Sequence, residues 1–284
     1  MTTPNDALTY VYAAAPLTTG FRDALTGLRG IYGSPVLFVT APPDAGGPAP
    51  PLAFVTSHVP RGDFNESALK NHFEDLEWLE DVARAHHDVV QALSAHATVL
   101  PLRMATVYQD DDRAGQALAE QHDAFAERLA QLTAHTEFGV KIYLAPTAAP
   151  AGPVPVPDVD TGSAATPGKA YLQRRRAQHN AQEAVYSQAR EAAGIIETVA
   201  SRYASQHVRH AAQRGTLTGP VENVLNDAYL VPDAYAEPFR AAIEAAVGVF
   251  DGIRVEVTGP WAPYSFAMPP VGRQHSAPGE EHGS

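Results

Sequence analysis

The sequence contains no cysteine among its 284 residues. Without thiols the chain cannot form a disulfide framework, a thiolate metal site or a cysteine nucleophile. Long apolar runs are missing too: the stretch 241–250 is apolar but short, and Glu244 interrupts it. A membrane-spanning helix needs roughly 20 apolar residues, so no span is predicted.

Basic residues are scarce relative to acidic ones. The chain carries 20 Lys and Arg against 32 Asp and Glu, a formal net charge of −12 with neutral histidines. A general nucleic-acid binder needs a basic surface to neutralise phosphates, so this class is disfavoured. The first nine residues also lack a basic flank, which predicts no secretory signal and a cytoplasmic protein.

The motifs of common nucleotide-dependent and hydrolytic enzymes are absent. Gly27, Gly30 and Gly33 match neither the dinucleotide fingerprint nor the lysine-bearing loop that binds triphosphates. No serine occupies a nucleophile elbow between a strand and a helix. We therefore expect no catalytic constellation, no enzyme activity and no cofactor.

A proline-rich segment, residues 145–168, divides the chain. Its prolines fix φ and remove backbone donors, so no regular element is expected, and alternating Pro-Val favours an extended spacer. Because 284 residues exceed what one compact core usually organises, the segment predicts a linker between two domains, 1–144 and 169–270. The polar residues 271–284 are expected to form a disordered tail.

The first domain alternates between strand and helix patterns. Runs of β-branched or aromatic residues predict strands, and apolar residues spaced three or four apart predict helices. Helices on one face of an antiparallel sheet indicate an α+β domain of ferredoxin-like type. Pro101 predicts an edge or a bulge in its strand. The predicted strands are 8–14, 35–40, 52–58, 98–108 and 137–144, and the predicted helices are 20–29, 66–96 and 110–134.

The second domain is predicted to open with a very long helix, residues 169–214, which contains no proline and a single glycine. Its apolar residues from Ala181 to Tyr203 repeat at three or four, a narrow seam that packs on another helix, within the chain or on a partner. A smaller α+β domain follows, ending in an aromatic, proline-bearing terminus at 260–266. Its further elements are a strand at 221–231, a helix at 234–248 and a strand at 252–259.

The histidines allow a metal interpretation and a structural one. His86 and His87 are adjacent on a predicted helix and point about 100° apart, so they share no ligand face. His207 and His210 are three residues apart, but no carboxylate within a turn completes a ligand set. Structural histidines are therefore favoured, and no metal is expected.

Charge is distributed unevenly along the chain. Residues 1–144 carry a net charge of −9, whereas residues 169–214 carry +5. The acidic triplet Asp110–Asp112 fits a helix start, where carboxylates meet free backbone amides. The triplet Arg174–Arg176 fits either a solvated helix face or a contact with a phosphate or an acidic protein.

Three segments are specific when taken together and in order. They are HHDVVQALSAHATVLPLRMATVY at 86–108, GKAYLQRRR at 168–176, and NDAYLVP at 226–232 followed by VEVTGPWAPYSF at 255–266. Together they resemble the gas vesicle protein F/L family, whose patterns look like H-x-x-V-V-x-x-L, T-V-L-P-L-R-F-G-T-V-F, G-K-x-Y-L, A-Y-L-V and T-G-P-W-P-P-Y-S-F. The chain departs from them at Met104-Ala105, where the family usually has Phe-Gly, and at Ala262, where it usually has Pro.

The resemblance implies a non-enzymatic accessory protein of gas vesicle assembly. Such a protein has a ferredoxin-like N-terminal domain and a modified ferredoxin-like C-terminal domain with a long helix. Its implied partners are the major shell protein, a small and very hydrophobic subunit, and other vesicle accessory proteins, with a minor place on or in the vesicle. The candidate partner-binding residues are Arg103, Arg174, Arg175, Arg176, Trp261, Tyr264 and Phe266.

Each candidate surface has an intramolecular alternative. The Pro101-marked strand, the helical seam and the aromatic terminus can bind a partner or pack within the chain. Two other functions stay open from the residues alone. One is a small-molecule-sensing module of ferredoxin-like type, and the other is a hydrolase that uses the His and Asp residues of 86–112.

Overall fold

The computed structural model describes residues 6–42, 51–144, 167–212, 222–248, 250 and 252–267. Contacts divide the chain into two compact units. The N-terminal unit comprises Met1–Thr133 together with Ala262–Ser284, and the second unit is Ala134–Trp261. Both combine helices with an antiparallel sheet, which confirms the predicted two-domain α+β class.

The sheet of the N-terminal unit is antiparallel, with β1 in the middle. Its order is β2-β3-β1-β4, and β5 also pairs with β1. β1 is buried along almost its whole length because neighbouring strands flank both sides and helices cover both faces of the sheet. Residues 82–93 pack beside Tyr10 and Tyr12, whereas Asp111 bonds Thr9 and Phe125 packs on Phe54 on the other face. The strands are β1 Ala7–Pro16, β2 Leu37–Thr40, β3 Leu52–Pro60, β4 Leu100–Pro101 and β5 Val107–Tyr108.

The helices of this unit are more divided than the periodicity predicts. The predicted helix 66–96 is broken at 73–75 because the Asp75 side chain accepts from the backbone amides of Glu77 and Trp78 and starts a new helix. The predicted helix 110–134 is broken at Gln121. The helices are α1 Thr19–Ala24, α2 Arg61–Phe64, α3 Glu66–His72, α4 Leu76–Ser94, α5 Asp111–Glu120, α6 His122–Leu132 and α9 Tyr264–Ala267, with a 3-10 turn at Ile31–Gly33.

The acidic triplet is a helix start, as predicted. The Asp110 side chain accepts from the Arg113 amide, and Asp111 and Asp112 lie in the first turn of α5. Carboxylates there satisfy free amides and interact favourably with the positive end of the helix dipole.

The second unit has a four-stranded antiparallel sheet of order β7-β8-β6-β9. Alanines and Ile196 on one face of α7 pack with Phe239 and Ile243 of α8 over the apolar face of β6. The elements are β6 His135–Leu144, α7 Pro167–Ala200, β7 Gln206–Arg209, β8 Asn223–Pro232, a 3-10 turn Asp233–Tyr235, α8 Ala236–Val247 and β9 Ile253–Trp261.

The division between the units differs from the predicted linker at 145–168. Strand β6 pairs with β8 and β9, so residues 134–144 belong to the second unit. Phe138, Val140 and Ile142 pack against α7 and α8. Burial of these apolar side chains explains why β6 belongs to the second unit. The proline-rich residues therefore connect two elements of one unit, and residues 145–166, like the predicted tail 271–284, lie outside the described residues.

The long helix also ends earlier than the predicted residue 214. It stops at Ala200, and residues 206–209 form β7, which pairs with β8. Neither proline nor glycine marks this end in the sequence, and strand pairing overrides local helix propensity. His207 and His210 are therefore not on a helix.

Pairing across β7 and β8 buries a charge. Asp227 is fully buried, and the Nε and Nη2 atoms of Arg209 donate to its two oxygens at 2.9 and 3.0 Å. The Nε2 atom of His207 lies 3.0 Å from the same carboxylate, and its ring stacks on Tyr229. A buried carboxylate needs such partners to offset its lost hydration. The network thus explains His207 structurally.

Within the described residues, no helix has the length and apolar character that spanning a membrane requires.

Candidate partner-binding surfaces

Arg103 lies in a turn on the outer side of β1. The turn separates β4 from β5, and the Arg103 carbonyl accepts from both the amide and the hydroxyl of Thr106. The Arg103 side chain is exposed. β4 and β5 contain two residues each, and Pro101 is buried, so the predicted edge strand 98–108 is two short strands around a turn. This region therefore offers a partner the exposed guanidinium of Arg103, and it offers no continuous strand edge for pairing.

Ala105, in the same turn, has a left-handed backbone conformation with φ of 62°. Its amide donates to the buried hydroxyl of Tyr10 at 3.0 Å, which fixes the turn against β1. The left-handed region costs a residue with a Cβ atom about 1–2 kcal/mol, and glycine avoids that cost. Glycine is also what the resembled family usually has at this position.

Replacing Ala105 with glycine should therefore raise the free energy of unfolding of the N-terminal unit by about 0.5–1 kcal/mol, after the greater freedom of glycine in the unfolded chain is subtracted. Urea unfolding followed by fluorescence measures it, with an unchanged slope on denaturant. The control is Ala83→Gly at an exposed position inside α4, which should destabilise by about 1 kcal/mol. Equal destabilisation by both substitutions would contradict a strained Ala105.

The aromatic terminus is divided between the two units. Trp261 ends β9 in the second unit and is 37% exposed. Phe266 belongs to the N-terminal unit, is only 1% exposed, and its carbonyl accepts from Arg128 Nε at 2.6 Å. Tyr264 packs against the same core, with its ring centroid 6.2 Å from that of His86. The buried Phe266 has no surface to offer a partner, and Trp261 is the most exposed aromatic side chain of the terminus.

The N-terminal half of α7 carries the basic triplet. The side chains of Arg175 and Arg176 are exposed, whereas that of Arg174 lies outside the described residues. Residues 175–184 are exposed throughout, and Ala189 is the first buried residue among the side chains of the helix that the structure describes. The predicted seam is thus internal from Ala189 onward and uncovered at Ala181.

Strand β9 forms one edge of the second sheet. It pairs with β6 over 253–258 and again at Trp261, with an irregularity between them, and no strand in the described part of the chain pairs on its other side. Arg240 of α8 covers part of this edge, because its guanidinium donates to the carbonyls of Val257 and Gly259. Open strand edges are templates for pairing with another chain, and a charged side chain placed there limits such pairing. Periodicity found the strand but could not show that it lies at an edge.

An aromatic surface on the N-terminal unit was not predicted. We call Tyr32, His72, Phe73, Leu76 and Trp78 the acidic–aromatic surface, because carboxylates surround it. Tyr32, Phe73 and Leu76 are 53%, 49% and 66% exposed. The Trp78 Nε1 atom donates to the Tyr32 hydroxyl at 2.7 Å, and His72 stacks on Trp78. The surface lies at the helix break, because Phe73 is the C-cap of α3 and Leu76 is the first residue of α4.

A buried polar cluster surrounds His86. The Ala105 amide donates to the Tyr10 oxygen at 3.0 Å, and a hydrogen bond of 2.9 Å joins the same oxygen to His86 Nδ1. Burial lowers the pKa of His86 to about 4. The neighbouring His87 also lowers this pKa, whereas the carbonyl of Leu102 acts in the opposite direction. Burial also raises the pKa of Tyr10 above its ordinary value. His86 therefore stays neutral at neutral pH.

The residues of the hydrolase hypothesis are not brought together. His86 is in the core, Asp110 caps α5, and Asp111 accepts from Thr9 and lies 3.1 Å from His58 Nε2. No three His, Asp or Glu side chains within the described ranges are arranged to hold a metal ion. A cavity of about 630 Å³ is open beside His58 and Asp111, with Leu8 in its wall.

Comparisons with known proteins cover nearly the whole chain. The family model described as gas vesicle synthesis protein GvpL/GvpF matches residues 8–268. Gas vesicle protein L of a Streptomyces species is 39% identical over 264 residues, which are 92% of this chain and 93% of the relative.

Two crystal structures share the fold. GvpF of Microcystis aeruginosa superposes with a TM-score of 0.59 at 17% identity, covering 92% of this chain and 99% of that chain. GvpF of an Anabaena species gives a TM-score of 0.58 at 17% identity, covering 93% and 97%.

Proposed function

Because the chain belongs to the GvpL/GvpF family of gas vesicle synthesis proteins, we propose that it supports vesicle assembly by binding the hydrophobic major shell protein. The family match over residues 8–268 is the observation that carries the vesicle role. Binding of the shell subunit, a minor place on the vesicle and the lack of enzyme activity are parts of the proposal.

The shell subunit needs a binding partner because of the surface from which the vesicle wall is built. A subunit that forms a gas-tight wall exposes apolar helix and strand surface before it assembles, and such surface aggregates unless another protein covers it. Covering requires exposed aromatic anchors and open backbone edges, and it requires no reactive group. Trp261 lies at the end of the edge strand β9, so this edge combines both features. We assign the shell-protein contact to the β9 edge and Trp261.

Site-specific crosslinking tests the assignment. A photoreactive amino acid at Trp261, in cells that make vesicles, should recover the shell protein as the crosslinked partner. Arg103 and Arg176 report on the other predicted surfaces, and the exposed Glu237 of α8 is the matched control. Shell protein at Trp261 and its absence at Glu237 are expected. Its absence at all of the first three positions would exclude shell binding by these surfaces.

Deletion tests the vesicle role separately. Cells that lack this gene and any paralogue should lose vesicles, and the restored gene should return them. Normal vesicles in the clean deletion would overturn the assembly role even if crosslinks were found.

A small-molecule-sensing function is the second candidate, and the cavity beside His58 and Asp111 favours it. A ligand that binds the folded state raises the unfolding temperature by mass action. An amino acid or nucleotide that raises it by several degrees would favour sensing. His58→Ala should then abolish the rise, because His58 is in the cavity wall.

A further inference from the structure

The acidic–aromatic surface has a strong negative rim. Between residues 63 and 81, seven residues are acidic and Lys70 is the single Lys or Arg. Glu66 and Glu80 are neutralised by ion pairs with Lys70 and Arg84. The exposed carboxylates of Glu74, Glu77 and Asp81 form no ion pair with any residue that the structure describes. They therefore leave net negative charge around an exposed apolar patch.

The carboxylates are close enough to act on the aromatic groups. Burial raises the pKa of the Tyr32 hydroxyl, and the negative charges of Asp63 and Asp81 raise it further. Asp75 lies between Phe73 and Trp78, where it caps α4. Aromatic faces beside carboxylates are the environment that a guanidinium prefers, because it stacks on the rings and pairs with the oxygens. The surface thus selects a partner rich in arginine that also carries an apolar side chain.

The chain itself contains such a segment. At the N-terminal end of α7, Leu172 is 64% exposed and is followed by the arginine triplet. Residues 175–184 are exposed on every side, which is about three helical turns that no described part of the chain covers. Most of the stability of protein helices comes from packing, so a helix uncovered over this length gains from a docking partner. Two copies of this segment would repel each other through their arginines, so the segment needs a different surface as its partner.

We propose that the arginine-bearing turns of α7 in one copy bind the acidic–aromatic surface of a second copy. Arg175 and Arg176 pair with Glu74, Glu77 and Asp81, and Leu172 packs on Phe73 and Leu76. The contact joins two different surfaces and is heterologous, so it propagates into rings or open chains of molecules. Self-association is independent of shell binding, which we assign to the β9 edge.

Sedimentation of the purified full-length chain tests the proposal. At about 0.1 M salt the mass should rise with protein concentration above the monomer value, and about 0.5 M salt should reduce it because exposed charges are screened. Arg175→Glu with Arg176→Glu should weaken association about tenfold or more, since like charges then face each other. Glu74→Lys with Glu77→Lys should weaken it equally.

The charge-swapped protein gives the decisive comparison. Combining all four substitutions restores opposite charges and should recover the association that each pair of substitutions loses. Arg190→Glu with Arg202→Glu is the matched control, because both arginines are exposed in or just after α7 but lie outside the arginine triplet. This control should associate like the natural sequence.

Three results would overturn the proposal. They are a monomeric mass at every concentration and salt, a four-fold variant that stays dissociated while both double variants weaken, and a control that dissociates like the test variants. Association that needs added shell protein would assign the surface to that protein and exclude the second copy. Crosslinking at Trp261 tests shell binding, and sedimentation tests self-association. Failure of one experiment therefore does not affect the conclusion drawn from the other.

Discussion

Replacing Phe266 with alanine should lower the free energy of unfolding of the N-terminal unit by about 3–5 kcal/mol, the usual range for a fully buried phenylalanine. The side chain is 1% exposed and lies in a short helix that follows the last strand of the other unit. Removing it leaves a cavity beside a segment that Arg128 and Gln91 hold by single hydrogen bonds, to the carbonyl of Phe266 and the amide of Ala262. The whole segment should therefore loosen.

Fluorescence separates this unit from the other one. The chain has two tryptophans, Trp78 in the N-terminal unit and Trp261 in the second. With Trp261 replaced by phenylalanine, Trp78 alone reports urea unfolding of the N-terminal unit. Phe73→Ala is the matched control, because it removes the same atoms from a side chain that is 49% exposed, and it should cost less than half as much. Equal losses for both variants would contradict the packing described for Phe266.

Acidification from pH 6.5 to pH 4 should remove about 3 kcal/mol of the stability of the N-terminal unit through His86 alone. Its pKa is lowered to about 4, against 6.5 when it is not buried. Between these values the unfolded chain binds a proton on His86 that the folded chain does not bind, so stability falls as pH falls. Above pH 6.5 the contribution is complete, and below pH 4 it is lost.

His86→Gln isolates this contribution, because an amide retains hydrogen-bonding groups beside Tyr10 and does not titrate. Urea unfolding of the Trp78 reporter across pH 4.5–6.5 should show a shallower loss of stability in this variant than in the natural sequence. His96→Gln, which removes an exposed histidine just after α4, should keep the steep profile. A steep profile in His86→Gln would show that other groups cause the acid sensitivity.

Sequence patterns predicted several of the strands in both units. Strands β1, β3 and β6 coincide with runs of β-branched and aromatic residues, because burial on a sheet selects those side chains. The family resemblance is confirmed by the match over residues 8–268. Helix breaks were missed at Asp75 and Gln121, since apolar spacing of three or four continues through a cap without interruption.

Other errors came from information that local patterns do not contain. The end of α7 at Ala200 depends on β7 pairing with β8, a contact between distant residues. Phe266 and Trp261 look alike in sequence, five residues apart and both aromatic, yet one is buried and the other is partly exposed. Composition also cannot distinguish a linker between domains from a connection within one domain. The proline-rich segment was therefore predicted to join two domains, whereas it joins two elements of the second unit.

The chain leaves the N-terminal unit at residue 133 and supplies it again from residue 262. During translation, Phe266 reaches the growing polypeptide only after the whole of the second unit has been made. All of the second unit, residues 134–261, is therefore synthesised before residues 262–266 of the N-terminal unit. The N-terminal unit therefore keeps the site that Phe266 occupies unfilled until residues 262–266 have been synthesised.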